Sequence, residues 1–258
     1  MGKYQSKLPD SHGFVHFTEE ENETWHTLMT RQTQIIQDRA CDEFIHGLEI
    51  LNMPEDRVPE CAEISSALQA ATGWSVAPVP ALIPVSEFFN LLAHKKFPAA
   101  TFIRTRADID YIQEPDIFHE YFGHCPLLTN QAYADYVEWY GKIALTADEQ
   151  SRRLLARLFW FTIEFGLIKK GDDYRIYGGG ILSSKEETVY AVESEIAKRK
   201  PLKVLDALRT PYRYDIIQPL YYYIERFHDL YQLMEHDLLA CVHEAVRAGE
   251  FVPEFVTC

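Results

Sequence analysis

The chain has no apolar run of about 18 residues, the length that crosses a bilayer, and no charged-then-apolar leader at its N-terminus. The expectation is a cytoplasmic protein without a membrane span. Cysteine is sparse: residues 41, 61, 125, 241 and 258 make an odd set with no CxxC spacing, against both a disulfide framework and a cysteine-ligated zinc. Basic charge is also short. Against 39 Asp and Glu stand 25 Lys and Arg, a formal net charge of −14, so the basic footprint of a nucleic-acid or anionic-membrane binder is missing. Neither GxxxxGK[ST] nor GxGxxG after a strand occurs, and the triple glycine at 178–180 reads as part of a hairpin or loop and not as a phosphate cradle. The last stretch lacks the sustained heptads of a coiled coil.

What is present is helical for the most part. Residues 1–17 are polar and aperiodic and read as an arm over the surface. A helical pattern over 18–51 opens on Thr18 followed by three glutamates, a cap with acid in the first turn, and carries Trp25, Leu28, Ile35, Ile36 and Phe44 at helical spacing. Residues 61–73 form a short amphipathic helix closed by Gly73. Pro78, Pro80 and Pro84 break the next segment into extended pieces ahead of a short helix around Phe88–Ala93, and TFIRTR at 101–106 alternates as a strand does. Residues 131–168 predict two helices, the second apolar nearly all round and therefore buried; the chain beyond 185 predicts mostly helix, with a turn at Pro211–Tyr214 and an aromatic block, QPLYYY, whose three tyrosines cannot all face one way. The fold class is mainly α with a few short strands.

The chemistry concentrates in EPDIFHEYFGHCPL, residues 114–127. In an α-helix each residue turns about 100°, so His119 and His124 would point about 140° apart if the helix ran straight through. Gly123 suits a helix C′ position and Pro126 stops a continuation, which predicts a helix ending at about Phe122 and a chain that folds back to bring His124 round to His119. Glu164 lies in the apolar run RLFWFTIEFGLI, where a carboxylate requires a cation, hydrogen bonds or a metal. Two histidines and a carboxylate with open positions suit a non-haem Fe(II) site that activates oxygen, and the same atoms suit a hydrolytic zinc site. Cys125, beside His124, is expected to serve packing.

PDIFHEYFGHCPLL, WFTIEFGL, YGGGILSS and QPLYYY, four separated blocks in order, resemble the pterin-dependent aromatic amino acid hydroxylases, and among them the bacterial phenylalanine 4-hydroxylases. The similarity runs from about Gly13 to about Leu230. It implies a single catalytic domain over 18–258, without the regulatory domain or tetramerisation helix of animal members, expected as a monomer with a dimer as the alternative. It implies Fe(II) on His119, His124 and Glu164, a tetrahydropterin cofactor, and O2 as co-substrate in the conversion of L-phenylalanine to L-tyrosine and a 4a-hydroxypterin, with tryptophan or tyrosine as the alternative substrate. By the same resemblance, Phe88 stacks on the pterin ring, Ala81, Leu82 and Ile83 lie beside it, and Glu120 is near it. Arg104 holds the substrate carboxylate, Pro115, Trp160 and Phe165 wall the ring pocket, and Ser183 backs the first metal histidine.

Two departures stand out. Where animal members carry a threonine before the metal segment this chain has Ile112 followed by Gln113, and Phe159 stands where a tyrosine is common. HEYFGH also resembles the HExxxH of a small group of zinc peptidases, in which Glu120 would be the general base. A non-catalytic domain that binds aromatic amino acids is the third reading.

Overall fold

The computed structural model describes residues 4–11, 13–80 and 83–255. Eleven α-helices and six short strands are seen among them, so the chain is mainly α as expected. The helical pattern over 18–51 forms two helices. The first, α1 (Glu19–Ile35), starts at a reciprocal capping box in which Thr18 and Glu21 satisfy each other's backbone N–H. The second, α2 (Asp42–Leu51), begins after a break at which Asp38 takes a φ of 58° and residues 39–41 bond to the backbone of Ile176. Gly73, at φ 80°, ends α3 (Cys61–Thr72) in the left-handed conformation that lacks a steric penalty only for glycine.

A parallel pair, β1 (Ser75–Val79) and β2 (Lys96–Ala100), flanks α4 (Val85–Ala93). The strand expected at 101–106 is therefore displaced into 96–100, through Pro98. The physical reason is that the 101–106 backbone is engaged elsewhere: the Thr101 hydroxyl donates to the carbonyl of Lys7, and the Arg104 N–H donates to the Asp116 side chain instead of to a ladder. The N-terminal arm is strapped down there, with Tyr4 stacked on Phe102 and Val15 buried.

Downstream come α5 (Gln131–Thr146) and α6 (Glu149–Phe159), capped by Asn130 and Asp148. The second predicted helix, read as apolar nearly all round, is corrected: α6 keeps an exposed arginine-bearing face, and the apolar character belongs to the segment after Phe159, interrupted there by Thr162 and Glu164. The hairpin at the triple glycine is real, formed by β3 (Gly166–Lys170) and β4 (Asp173–Ile176), and leads into the short α7 (Gly179–Leu182) and then α8 (Lys185–Glu193). The expectation of a mostly helical C-terminal third is corrected by β5 (Lys198–Pro201) and β6 (Leu220–Ile224), which complete a sheet of order β4-β3-β6-β5. The tyrosine run of QPLYYY is an interior strand: Tyr221 and Tyr223 take one face and Tyr222 the other, a pleat with period two. The remaining helices are α9 (Val204–Arg209), α10 (Asp229–Met234) and α11 (Leu238–Ala248). No helix among the described residues is long and apolar enough to cross a membrane.

One continuous core, with Trp25, Phe118, Phe122, Tyr136 and Tyr177 among its largest buried members, holds the metal-type motif in its middle. Helix α2 seats directly on the chain that leaves this motif, at Gly47, where a Cβ would overlap the Pro126 carbonyl backbone. Gly47→Ala is expected to destabilise the protein by about 1 to 3 kcal/mol through this overpacking; a urea midpoint equal to that of the unsubstituted protein would show that the contact yields freely.

Candidate metal centre and ring pocket

His119–His124 is a single π-helical turn, closed by the Cys125 N–H donating to the Glu120 carbonyl. This corrects the expected helix stop at Phe122, because Gly123 takes no left-handed conformation and the chain does not fold back. The two histidines meet all the same. With hydrogen bonds spanning five residues, positions five apart return to nearly one face. Their Nε2 atoms lie 3.0 Å apart. Gly123 serves the turn by close approach: its Cα faces the Gly179 backbone, where a side chain has no room.

Glu164 ends a second π-helical turn, Trp160–Glu164, which continues α6. Its Oε2 is 3.4 Å from His124 Nε2 and 3.7 Å from His119 Nε2. Metal bonds of about 2.1 Å set at right angles hold neighbouring donor atoms about 3 Å apart, so the three atoms trace one face of an octahedron. The tautomer agrees. Ser183 Oγ donates its proton to the Gly179 carbonyl, so at 2.8 Å it accepts from His119 Nδ1–H, which leaves the lone pair of Nε2 facing His124 and Glu164. Burial, then the proximity of His124, pushes His119 down to about 4, so that its ring is neutral at physiological pH. Burial raises Glu164, but its neighbourhood, His124 first, brings it back below the ordinary carboxylate value. A divalent cation fits these residues.

Glu120 also lies with the two histidines, their potential donor atoms all within 4.8 Å of one another. Charge separates the two carboxylates: burial, then Glu164 and Asp116, pushes Glu120 well above the carboxylate range. The two carboxylates are shifted in opposite directions, Glu164 down and Glu120 up. Cys125 is fully buried among apolar side chains, with its thiol well above the ordinary value, as a packing residue requires.

The centre opens into a cleft of about 520 Å3 whose lining includes Arg104, Pro115, Trp160, Phe165 and Ser183 together with His119 and Glu164. The five side chains expected around a substrate are thus brought to one cavity with two of the expected ligands. Trp160 is stacked by Phe165 at 4.3 Å and by Tyr212 at 4.5 Å. Ile112 and Gln113, the first departure from the resemblance, line the same cleft. Phe88, Ile83 and Glu120 do not line it; Phe88 packs edge-on against Phe159, the second departure, at 5.4 Å, and Ile83 is half-buried ahead of α4. Ala81 and Leu82 lie outside the described residues.

Sequence reasoning gave Asp116 no role, yet it ties the site together. Fully buried, it accepts from Arg104 Nε and Nη2 at 2.8 Å each, from the Arg104 N–H at 2.9 Å and from the His119 N–H at 3.1 Å. The available signal was its place three residues before His119, where an aspartate accepts from the first N–H groups of a helix. The triple glycine was also underread. It is the floor of the site: side chains at Gly178 and Gly179 would overlap the Glu164 backbone and the His124 ring.

The chain matches the family described as biopterin-dependent aromatic amino acid hydroxylase over residues 3–240. It is 52% identical over 253 residues to the phenylalanine-4-hydroxylase of Pseudomonas aeruginosa, covering 98% of this chain and 96% of that protein. Its fold is similar to the apo structure of the cold active phenylalanine hydroxylase from Colwellia psychrerythraea 34H, with a TM-score of 0.95, 52% identity and 97% of each chain covered. It is also similar to the Chromobacterium violaceum phenylalanine hydroxylase with bound oxidized Fe(III), with a TM-score of 0.90 and 41% identity over 95% of this chain and 89% of that one.

Two results are expected at the metal centre. Glu164→Ala lowers Fe(II) affinity by ~100-fold in equilibrium dialysis while Glu120→Ala leaves it within ~3-fold, as loss of a direct ligand exceeds loss of a neighbour; equal losses would make Glu120 a ligand. In the metal-free protein His119 by itself contributes a loss of about 3 kcal/mol as pH falls from 6.5 to about 4. The sign follows from the depressed folded value: below 6.5 the unfolded chain binds a proton on His119 that the fold refuses. Glu120 and Glu187, raised by burial, act in the opposite sense, so the check compares urea midpoints at pH 7 and pH 5 in the unsubstituted protein and in His119→Gln: acidification costs the unsubstituted protein more, and an equal change in both would contradict it.

Proposed function

The chain belongs to the biopterin-dependent aromatic amino acid hydroxylases, and from that premise we propose that it converts L-phenylalanine, O2 and a tetrahydropterin to L-tyrosine and a 4a-hydroxytetrahydropterin. The observation that carries the reading is the convergence of His119 Nε2, His124 Nε2 and Glu164 Oε2 at 3.0 to 3.7 Å beside an aromatic-walled cleft. In this reading the three residues hold Fe(II), which supplies oxygen activation when bound, with electrons from the pterin.

The chain's own contribution is placement and exclusion of water. Arg104 is clamped by Asp116 through Nε and Nη2, which leaves Nη1 outside that two-pronged contact, and it lines the cleft. It therefore offers a fixed cationic donor for an amino-acid carboxylate without moving the Asp116 partner. Trp160, Phe165 and Pro115 wall the aromatic ring, and Ser183 fixes the plane of His119. Phe88, Ile83, Ala81, Leu82 and Glu120 are proposed for the pterin side by their match to family positions. Ile112 offers no hydroxyl to the polar end of the substrate, which places more of that task on Arg104. Residues 18–258 are taken as the catalytic domain, acting on small molecules as a monomer in the cytoplasm; the acidic net charge gives no footprint for nucleic acid or an anionic membrane.

A zinc peptidase of the HExxxH kind needs an ionised Glu120 as base. Burial beside Glu164 and Asp116 raises Glu120 well above the carboxylate range, the direction that disfavours the ionised form.

The test is anaerobic loading with Fe(II), addition of a reduced pterin, L-phenylalanine and air, and chromatography for tyrosine, with zinc-loaded protein run in parallel. Tyrosine is expected with iron and pterin together and absent when either is omitted. Peptide cleavage by the zinc form without tyrosine from the iron form would reassign the chemistry; pterin and O2 left unconsumed would make the chain a binding domain.

A further inference from the structure

Gln218 is 2% exposed and uses every polar atom of its side chain. Its Nε2 donates to the carbonyls of Arg213, at 2.7 Å, and Ile216, at 2.8 Å; its Oε1 accepts from the indole Nε1–H of Trp160 at 3.2 Å. The amide cannot be turned over, because a flipped group would set its oxygen against two carbonyls and its NH2 against an N–H. Its own backbone N–H donates at 2.8 Å to Oε1 of Glu187, a buried carboxylate that also accepts from the Tyr221 hydroxyl. The node is therefore pinned from behind by α8 and β6. In front of it lie the two halves of one wall: Trp160, from the π turn that ends in Glu164, and residues 214–217, which line the outer side of the cleft.

We propose that Gln218 is a positioning residue that sets the substrate range of the cleft: a single amide fixes the loop 211–217 against the indole of Trp160 and so fixes the width available to the aromatic ring. The inference rests on the proposed reading of this cleft as the site for an aromatic amino acid. Without the amide, Arg213 and Ile216 lose their donor and Trp160 its acceptor. The wall then opens to larger rings, while the ligand cluster, held by Ser183 and Asp116, keeps its geometry.

Gln218→Met keeps length and removes all three bonds; Gln218→Glu keeps shape and removes the two-proton donor. In the iron- and pterin-loaded enzyme both are expected to raise KM for L-phenylalanine by ~10-fold and to shrink its kcat/KM advantage over L-tryptophan by ~10-fold, with kcat and the pterin KM within ~3-fold. A purely structural role would instead lower kcat, pterin affinity and the thermal midpoint together, and that pattern, or unaltered selectivity in both variants, overturns the proposal. If the unsubstituted protein forms no tyrosine, the functional reading fails separately. Calorimetric binding of L-phenylalanine against L-tryptophan then decides the role of Gln218: preference lost in both variants supports it, preference kept rejects it.

Discussion

The carboxylate of Asp116 is the point on which the rest of the cleft depends. Four donors converge on a group with no exposure to water, two of them the guanidinium nitrogens of Arg104. Burial raises its pKa, and the Arg104 charge with these hydrogen bonds returns it below the ordinary range. A buried ion pair of this kind is weak as a source of stability but strong as a constraint, since removal of either partner strands a charge in the interior. Because the fourth donor is the His119 N–H, the arginine that faces the cleft and the first histidine of the metal cluster are referred to the same two oxygen atoms. The distance from the guanidinium in the cleft to the His119–His124–Glu164 cluster is thereby built into one side chain.

Around that point the fold supplies rigid backing. Ser183 orients His119 from α7, glycines 178 and 179 lie against the Glu164 backbone and the His124 ring, and α2 closes over Pro126. The wall of the cleft is organised differently, by an aromatic stack on Trp160 and by the Gln218 amide. The geometry of the His119–His124–Glu164 cluster and the wall of the cleft are thus held by different contacts, which meet at the Trp160–Glu164 turn.

Much of this was legible in the sequence because it depends on local chemistry. Thr18 with Glu21, Gly73 before Trp74, and Glu164 among aromatic residues each state their requirement within a few positions. The His119–His124 contact was legible as an outcome but not in its geometry: both a folded-back chain and a π turn bring positions five apart together, and only the helix-stop reading follows from Gly123 and Pro126 alone. The central placement of the QPLYYYI strand was hidden for another reason. Its partners, β3 and β5, are distant in sequence, and a run of tyrosines carries no alternation of polarity to betray a pleat. Asp116 and Gln218 were missed as functional residues because their importance lies in what converges on them from elsewhere in the chain.

The two π turns have a consequence for how this chain can vary. Each carries its ligand at a fixed count from its neighbours, His124 five after His119 and Glu164 at the end of the five-residue turn that follows Phe159. Removal or insertion of one residue in either turn would swing a ligand by about 100° about the helix axis. Length is thus held more strictly there than at the 171–172 turn, where a side chain at Gly171 would meet nothing: the intervals 119–124 and 160–164 act as rulers.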